Sequence, residues 1–215
     1  MTRTLVVCGT DTGVGKTVVA AALATLLYAD YWKPVQAGLD GDTDTETVIR
    51  LARLNASRAH AEAYRLKTPT SPHRAAELDG IVIDTSSLIP PRTSNPLLIE
   101  PAGGLLVPLT RDVLQIDVIA RWQKPVVLVT STRLGTINHT LLSNAALRAH
   151  NLPIAGLVFT GEESEDTQQT IADFARLPVL GRLPNLNPLD ETTLQHAART
   201  CLDVAPILAA WERAR

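Results

Sequence analysis

Gly9-Thr-Asp-Thr-Gly-Val-Gly-Lys-Thr17 is the stretch that decides the fold. Before it runs the apolar, β-branched segment Thr4–Cys8, which predicts a strand. After it runs Lys16–Ala29, Ala/Leu-rich and free of Pro and Gly, which predicts a helix. Strand, glycine-rich turn and helix in that order make a cradle for phosphate. The glycines let backbone N–H groups face inward without a Cβ clash, and the helix N-terminus adds partial positive charge. Thr12, Gly13, Val14, Gly15, Lys16, Thr17 and Val18 are therefore candidate contacts to a nucleoside triphosphate. Lys16 would reach the β- and γ-phosphates, and the Thr17 hydroxyl would ligate Mg²⁺. Five residues separate Gly9 from Gly15, one more than in the strict phosphate-loop motif. The plain alternative, a glycine-rich turn without a ligand, is opposed by the preceding strand and the closing Gly-Lys-Thr.

Outward from the loop, apolar runs of strand length alternate with helical stretches. Val35 closes a short apolar piece after Tyr31-Trp32. Leu97–Ile99, Val126–Val129 and Ile154–Phe159 read as central parallel strands buried on both faces, and Val179–Leu183 as a last short strand. Asp44–Leu54, Ile137–His150 and Thr167–Ala175 read as helices, and a further helix is expected from about Leu189 to the end. The Pro-, Thr- and Ser-rich stretch from Arg58 to Pro96 reads as loops with a short helix around His73–Leu78. Such alternation predicts an α/β fold: a three-layer sandwich of the P-loop NTPase type around a mainly parallel sheet. No repeat or linker divides the chain, so a single domain over residues 1–215 is expected.

Composition narrows the function. A 45% hydrophobic fraction supports a buried core, and a net charge of -2 without basic runs leaves no footprint for nucleic acid. Aromatics at 4% supply no stacking platform for bases. Cys8 sits in an apolar strand and reads as a small core hydrophobe. Two cysteines without paired spacing fit a reducing compartment. The N-terminal apolar run is too short to span a bilayer, so a cytoplasmic protein with no membrane partner is expected. Glu100, following the strand Leu97–Ile99, would face the phosphate loop at the C-terminal edge of the sheet, although a surface acid is the alternative. Of Asp40, Asp42 and Asp44, any could be a metal ligand or a helix N-cap.

Four further segments accompany the loop: Lys33-Pro-Val-Gln-Ala-Gly38, Thr70-Ser-Pro-His73, Glu100-Pro-Ala-Gly-Gly104 and Leu134-Gly-Thr-Ile-Asn-His139. In this order and at this spacing, the chain resembles the dethiobiotin synthetase family from its first strand to about residue 160. The resemblance implies ring closure of 7,8-diaminononanoate with CO₂ and ATP, giving dethiobiotin, ADP and phosphate in biotin biosynthesis. An amine captures CO₂ as a carbamate, ATP phosphorylates it, and the second amine attacks. By the same resemblance Lys33 is the catalytic lysine, alongside Lys16. Only four lysines occur, at 16, 33, 67 and 124, and two of them fall on these motifs. The resemblance favours Asp44, with Thr17 and Glu100, as the Mg²⁺ ligands. It places Ala37, Ser71, Gly103 and Gly104 at the diamine. It assigns Glu100, Pro101, Ala102 and Gly103, then Thr160, Gly161, Pro184, Asn185 and Leu186, to the nucleotide. Gly135, Thr136 and Asn138 would receive the substrate carboxylate across a homodimer interface, while His139 is expected as a packed or capping side chain.

Three departures from the family stand out. Ala37 replaces a Ser or Thr and lacks its hydroxyl. Pro101 replaces a Gly and removes an N–H. Thr160 replaces an Asn that reads adenine, and a hydroxyl cannot offer an amide's paired donor and acceptor. Two other readings are open: a P-loop ATPase switch of the partitioning or site-selecting class, and a metabolite-binding regulator without catalysis. The switch class carries an extra lysine near the loop's start, which Gly9-Thr-Asp-Thr12 lacks.

Overall fold

The computed structural model describes residues 3–213. In chain order it contains β1 (Thr4–Gly9), α1 (Lys16–Leu27), β2 (Asp30–Trp32), β3 (Val35–Ala37), α2 (Asp44–Ala52), β4 (Ala59–His60), β5 (Tyr64–Leu66), α3 (Pro72–Asp79) and β6 (Leu97–Ile99). There follow α4 (Gln115–Trp122), β7 (Val126–Ser131), α5 (Thr136–Ala149), β8 (Ile154–Thr160), α6 (Glu165–Ala175), β9 (Val179–Leu183), α7 (Glu191–Cys201) and α8 (Ala205–Arg213). One seven-stranded sheet has the order β4-β2-β6-β1-β7-β8-β9, with every neighbouring pair parallel.

Parallel pairing requires crossovers, and the crossover helices cover both faces. Along β1 the side chains alternate between two cores. Leu5 and Val7 join the one under α1, α2, α7 and α8, and Val6 and Cys8 join the one under α3, α4, α5 and α6. This is the three-layer sandwich that the alternation predicts. Cys8 is 2% exposed, and burial pushes its thiol up to about 12, as befits an inert core residue. No helix among the described residues is long and apolar enough to cross a membrane.

Two expectations are corrected. The final helix does not run unbroken from Leu189: α7 stops at Cys201 and α8 starts at Ala205. Between them Leu202 is extended and bridges Gly181, and the Asp203 N–H donates to the Leu180 carbonyl at 2.7 Å. Pro206 has no N–H to donate back to the Leu202 carbonyl, so a helix cannot run unbroken through this segment. The last two residues of that expected helix lie outside the described residues. The stretch from Arg58 to Pro96 is also more ordered than loops around one helix. It supplies edge strand β4 and strand β5, which pairs with β3 in a separate two-stranded parallel sheet. α4, which follows that stretch, is not anticipated at all.

The C-terminal ends of the parallel strands gather on one edge. Gly9 ends β1, Glu100 follows β6, Ser131 ends β7, Thr160 ends β8 and Leu183 ends β9, so the residues of the site converge there.

Candidate active site

The phosphate loop is built on close approach. A Cβ at Gly9 would lie 2.8 Å from Val14 Cγ2 and 2.9 Å from Lys16 Cδ, so only glycine lets the loop fold back over the end of β1. Gly15 opens α1 at φ 86°, and a Cβ there would meet Thr160 Cγ2 at 3.1 Å. The Thr160 hydroxyl donates to the Val14 carbonyl at 2.8 Å, clasping the loop to β8. Lys16 is 6% exposed, and its ammonium donates to the Asp11 carbonyl at 2.9 Å. Burial lowers its pKa, with the Glu100 charge opposing.

Beneath the loop lies a compact charged cluster. Thr17 Oγ1 is 2.9 Å from Asp44 Oδ1 and 2.9 Å from Glu100 Oε1. Lys33 Nζ is 2.5 Å from Asp44 Oδ2 and 3.6 Å from Glu100 Oε1. Tyr31 donates its phenol proton to Glu100 Oε2 at 2.9 Å. Lys33 is 3% exposed and Glu100 1%, so the surface-acid alternative for Glu100 is overturned. Burial would pull the Lys33 pKa down, but Glu100 and Asp44 outweigh it and raise the value, keeping the ammonium charged. Burial likewise pushes Asp44 up, and the adjacent Lys33 outweighs it, so Asp44 titrates below the ordinary range.

The choice among the three aspartates follows from capping. Thr43, not an aspartate, is the N-cap of α2: it accepts from the Glu46 N–H while Glu46 reaches back, a full capping box. Asp44 is then the first helical residue and turns toward Thr17. Asp42 pairs with Arg50 at the surface, and Asp40 is exposed.

Two cavities flank the loop. One of about 420 Å³ is lined by Thr12, Lys33, Ala37, Asp44, Ser71, Ala102 and Gly103. The other, of about 440 Å³, brings together Gly13, Val14, Gly15, Val18, Thr160, Gly161, Pro184, Asn185 and Leu186. Pro101 is buried between Glu100 and Ala102. The remaining sequence candidates lie away from both. Gly104 borders a third cavity of about 340 Å³ beside α5. Gly135 caps α5 at φ 93°, and Asn138 is exposed. Thr136 is buried; its hydroxyl donates to the Ser131 carbonyl at 2.6 Å and its N–H to the Arg133 carbonyl at 3.0 Å, so both of its donors are already used. His139, expected to be packed or capping, is exposed instead, because its side chain leaves α5 on the uncovered face beside Leu142 and Ser143.

Sequence reading missed several contributors. Tyr31 and Gln36 look like ordinary strand residues, yet Tyr31 holds Glu100, and the Gln36 side-chain Oε1 accepts from the Asp44 N–H at 3.3 Å. Glu162 and Arg133 border the second cavity, where the Asn185 amide donates to Glu162 at 2.7 Å. Only the Thr43-x-x-Glu46 spacing carried a readable signal, that of a capping box.

A parallel sheet with a glycine-cradled helix N-terminus, a buried lysine in the cradle and a threonine hydroxyl backed by two carboxylates defines a P-loop nucleoside-triphosphate-binding protein. Comparison with known proteins agrees. A family model described as an AAA domain matches residues 3–193. The solved cell division ATPase MinD of Pyrococcus furiosus superposes with TM-score 0.55 at 14% identity, covering 100% of both chains. A ParA family ATPase from Chlorobium tepidum gives 0.52 at 14% identity over 98% of this chain and 96% of its own. Such low identity speaks to the fold alone. Far closer in sequence is the ATP-dependent dethiobiotin synthetase BioD of Nitrobacter hamburgensis, 54% identical over 92% of this chain and 93% of its own length. The protein of that name from Rhodopseudomonas palustris (strain BisB5) is 54% identical over 97% and 98%, and that from Brucella anthropi is 52% identical over 95% and 96%. The chain belongs to the ATP-dependent dethiobiotin synthetase family.

Proposed function

We propose that this chain is a cytoplasmic ligase that closes the ureido ring of dethiobiotin from 7,8-diaminononanoate, CO₂ and ATP, working with Mg²⁺ as a homodimer. The observation that carries the mechanism is the Thr17–Asp44–Glu100–Lys33 cluster beneath the phosphate loop, with Lys33 and Glu100 buried in it.

The donor set suits Mg²⁺: one hydroxyl and two carboxylates, all hard oxygens, within hydrogen-bonding distance of one another. Thr17, Asp44 and Glu100 would hold the ion. When bound, it supplies neutralising charge to the phosphate oxygens. The chain's own residues do the rest. Amides of Thr12 to Val18 cradle the phosphates, and Lys16 swings from the Asp11 carbonyl to the transferring group. The Lys33 ammonium, held charged by its two acids, stabilises the negative charge shared by carbamate and γ-phosphate. The cavity of about 420 Å³ between Lys33, Ala37, Ser71 and Gly103 accommodates the diamine, and with no hydroxyl on Ala37 its contacts there are to backbone. The second cavity would take the nucleoside.

Gly135 to Asn138 do not line that diamine cavity, so the unpaired N-terminal amides of α5 there would serve the substrate carboxylate of a second copy. Exposed Leu134 and Leu142 beside them offer apolar surface for that contact.

The decisive experiment supplies purified protein with the diamine, ATP, Mg²⁺ and labelled bicarbonate. Acid-stable label in a ring-closed product is expected. Its absence from protein that still binds ATP would overturn the reading. ATP turnover indifferent to the diamine would favour a nucleotide switch.

A further inference from the structure

The N-terminal edge of the sheet, opposite the phosphate loop, holds a cavity of about 820 Å³ that plays no part in the chemistry above. It opens where β1, β6 and β7 begin, beside the C-terminal end of α4. Ile89, Pro91 and Trp122 make an apolar wall, and Ile89 stays 71% exposed despite its character. Every charged residue in the lining is a cation: Arg92, Arg121 and Lys124. Arg121 is fixed at the rim by donating to the Thr85 carbonyl and hydroxyl at 3.3 and 3.4 Å. Arg92 and Lys124 form no ion pair among the described residues. Asp84 forms no ion pair with either of them; its carboxylate accepts from the Ser86 N–H and hydroxyl at 2.9 and 2.6 Å.

A cavity of this size, apolar on one side and carrying unneutralised cations on the other, has the makeup of a small-molecule site. Guanidinium and ammonium groups beside an apolar wall favour an anion whose body is not hydrated, and a carboxylate matches the guanidinium fork. We propose that this cavity binds an amphipathic carboxylate, its apolar body against Ile89, Pro91 and Trp122 and its charged end on Arg92 and Lys124. Trp122 makes the site observable. Its indole N–H donates to the Leu88 carbonyl at 2.8 Å, and its ring lies 6.0 Å from that of Trp32.

The test titrates the full chain with octanoate, octanol and octylamine, following tryptophan fluorescence and heat of binding. Octanoate is expected to bind saturably and octylamine not at all. The double variant R92Q/K124Q alters an exposed and a half-buried side chain, so its fold is retained. It should weaken octanoate binding about tenfold or more, as expected for loss of charge-assisted hydrogen bonds. The variant also separates this site from the ligase site, where octanoate binding would be unmoved by these substitutions. No saturable binding, octanol binding as tightly as octanoate, or an unchanged affinity in the double variant would each overturn the proposal.

Discussion

Lys33 shows how much one side chain depends on its surroundings. Alone, a buried ammonium would lose its proton. Between Asp44 and Glu100 it keeps it, and so can stabilise developing negative charge. Replacing it with Gln is expected to lower kcat by about a hundredfold or more while ATP still binds, a loss typical of removing one electrostatic stabiliser. Steady-state kinetics alongside nucleotide titration checks this. Tyr31 is the quieter partner. Y31F leaves Glu100 Oε2 buried without its donor, which should cost about 1–3 kcal/mol of stability in thermal unfolding. Thr160 stands where the family has an Asn that reads adenine, and its hydroxyl is spent on the loop: it holds the Val14 carbonyl. T160V should therefore raise the KM for every nucleotide triphosphate alike, through a looser phosphate loop. A loss confined to ATP in a panel of four nucleotides would assign Thr160 to the base instead.

Among elements, β2 illustrates an anchor that sequence could not reveal. Asp30, 4% exposed at the start of that strand, accepts from Arg58 Nε at 3.0 Å, from Asn95 Nδ2 at 2.9 Å and from the Thr93 hydroxyl. Burial alone would raise its pKa, but these hydrogen bonds outweigh it and the value falls below 3.8. Folding thus favours the ionised carboxyl. Its contribution is complete well above pH 3.8 and is lost as the pH falls through that value to the folded-state pKa. D30N should reduce stability at pH 7 by about 3 kcal/mol, as for a broken buried charge network, and flatten the acid limb of the stability profile in denaturant titrations. In α2, the Thr43 cap both starts the helix and aims Asp44 at Thr17. T43A should cost about 1 kcal/mol and raise the Mg²⁺ concentration needed for half-maximal turnover.

At the scale of the molecule, two parts of the proposed site come from different places. Lys33, Thr17, Asp44 and Glu100 meet within one chain, whereas Gly135 to Asn138 face away on α5 among exposed Leu134 and Leu142. Charging that face with L142E should shift sedimentation toward monomer and raise the KM for the diamine in parallel, with ATP binding unchanged. Full activity from a monomer would remove α5 from the substrate site.

Local signals along the chain were enough to find the parallel sandwich, because strands buried on both faces leave continuous apolar runs and Gly-Lys-Thr marks a helix N-terminus at a strand's end. They also pointed to Lys33, Asp44 and Glu100 through motif and resemblance. Strands of two or three residues such as β4 and β5 leave no readable period, and the break between α7 and α8 exists because Leu202 and Asp203 find partners on β9. What Thr160 binds and how Tyr31 holds Glu100 were decided only by tertiary structure. Each depends on a hydrogen bond between residues far apart in sequence, and the spacing of residues along a chain carries no record of such a bond.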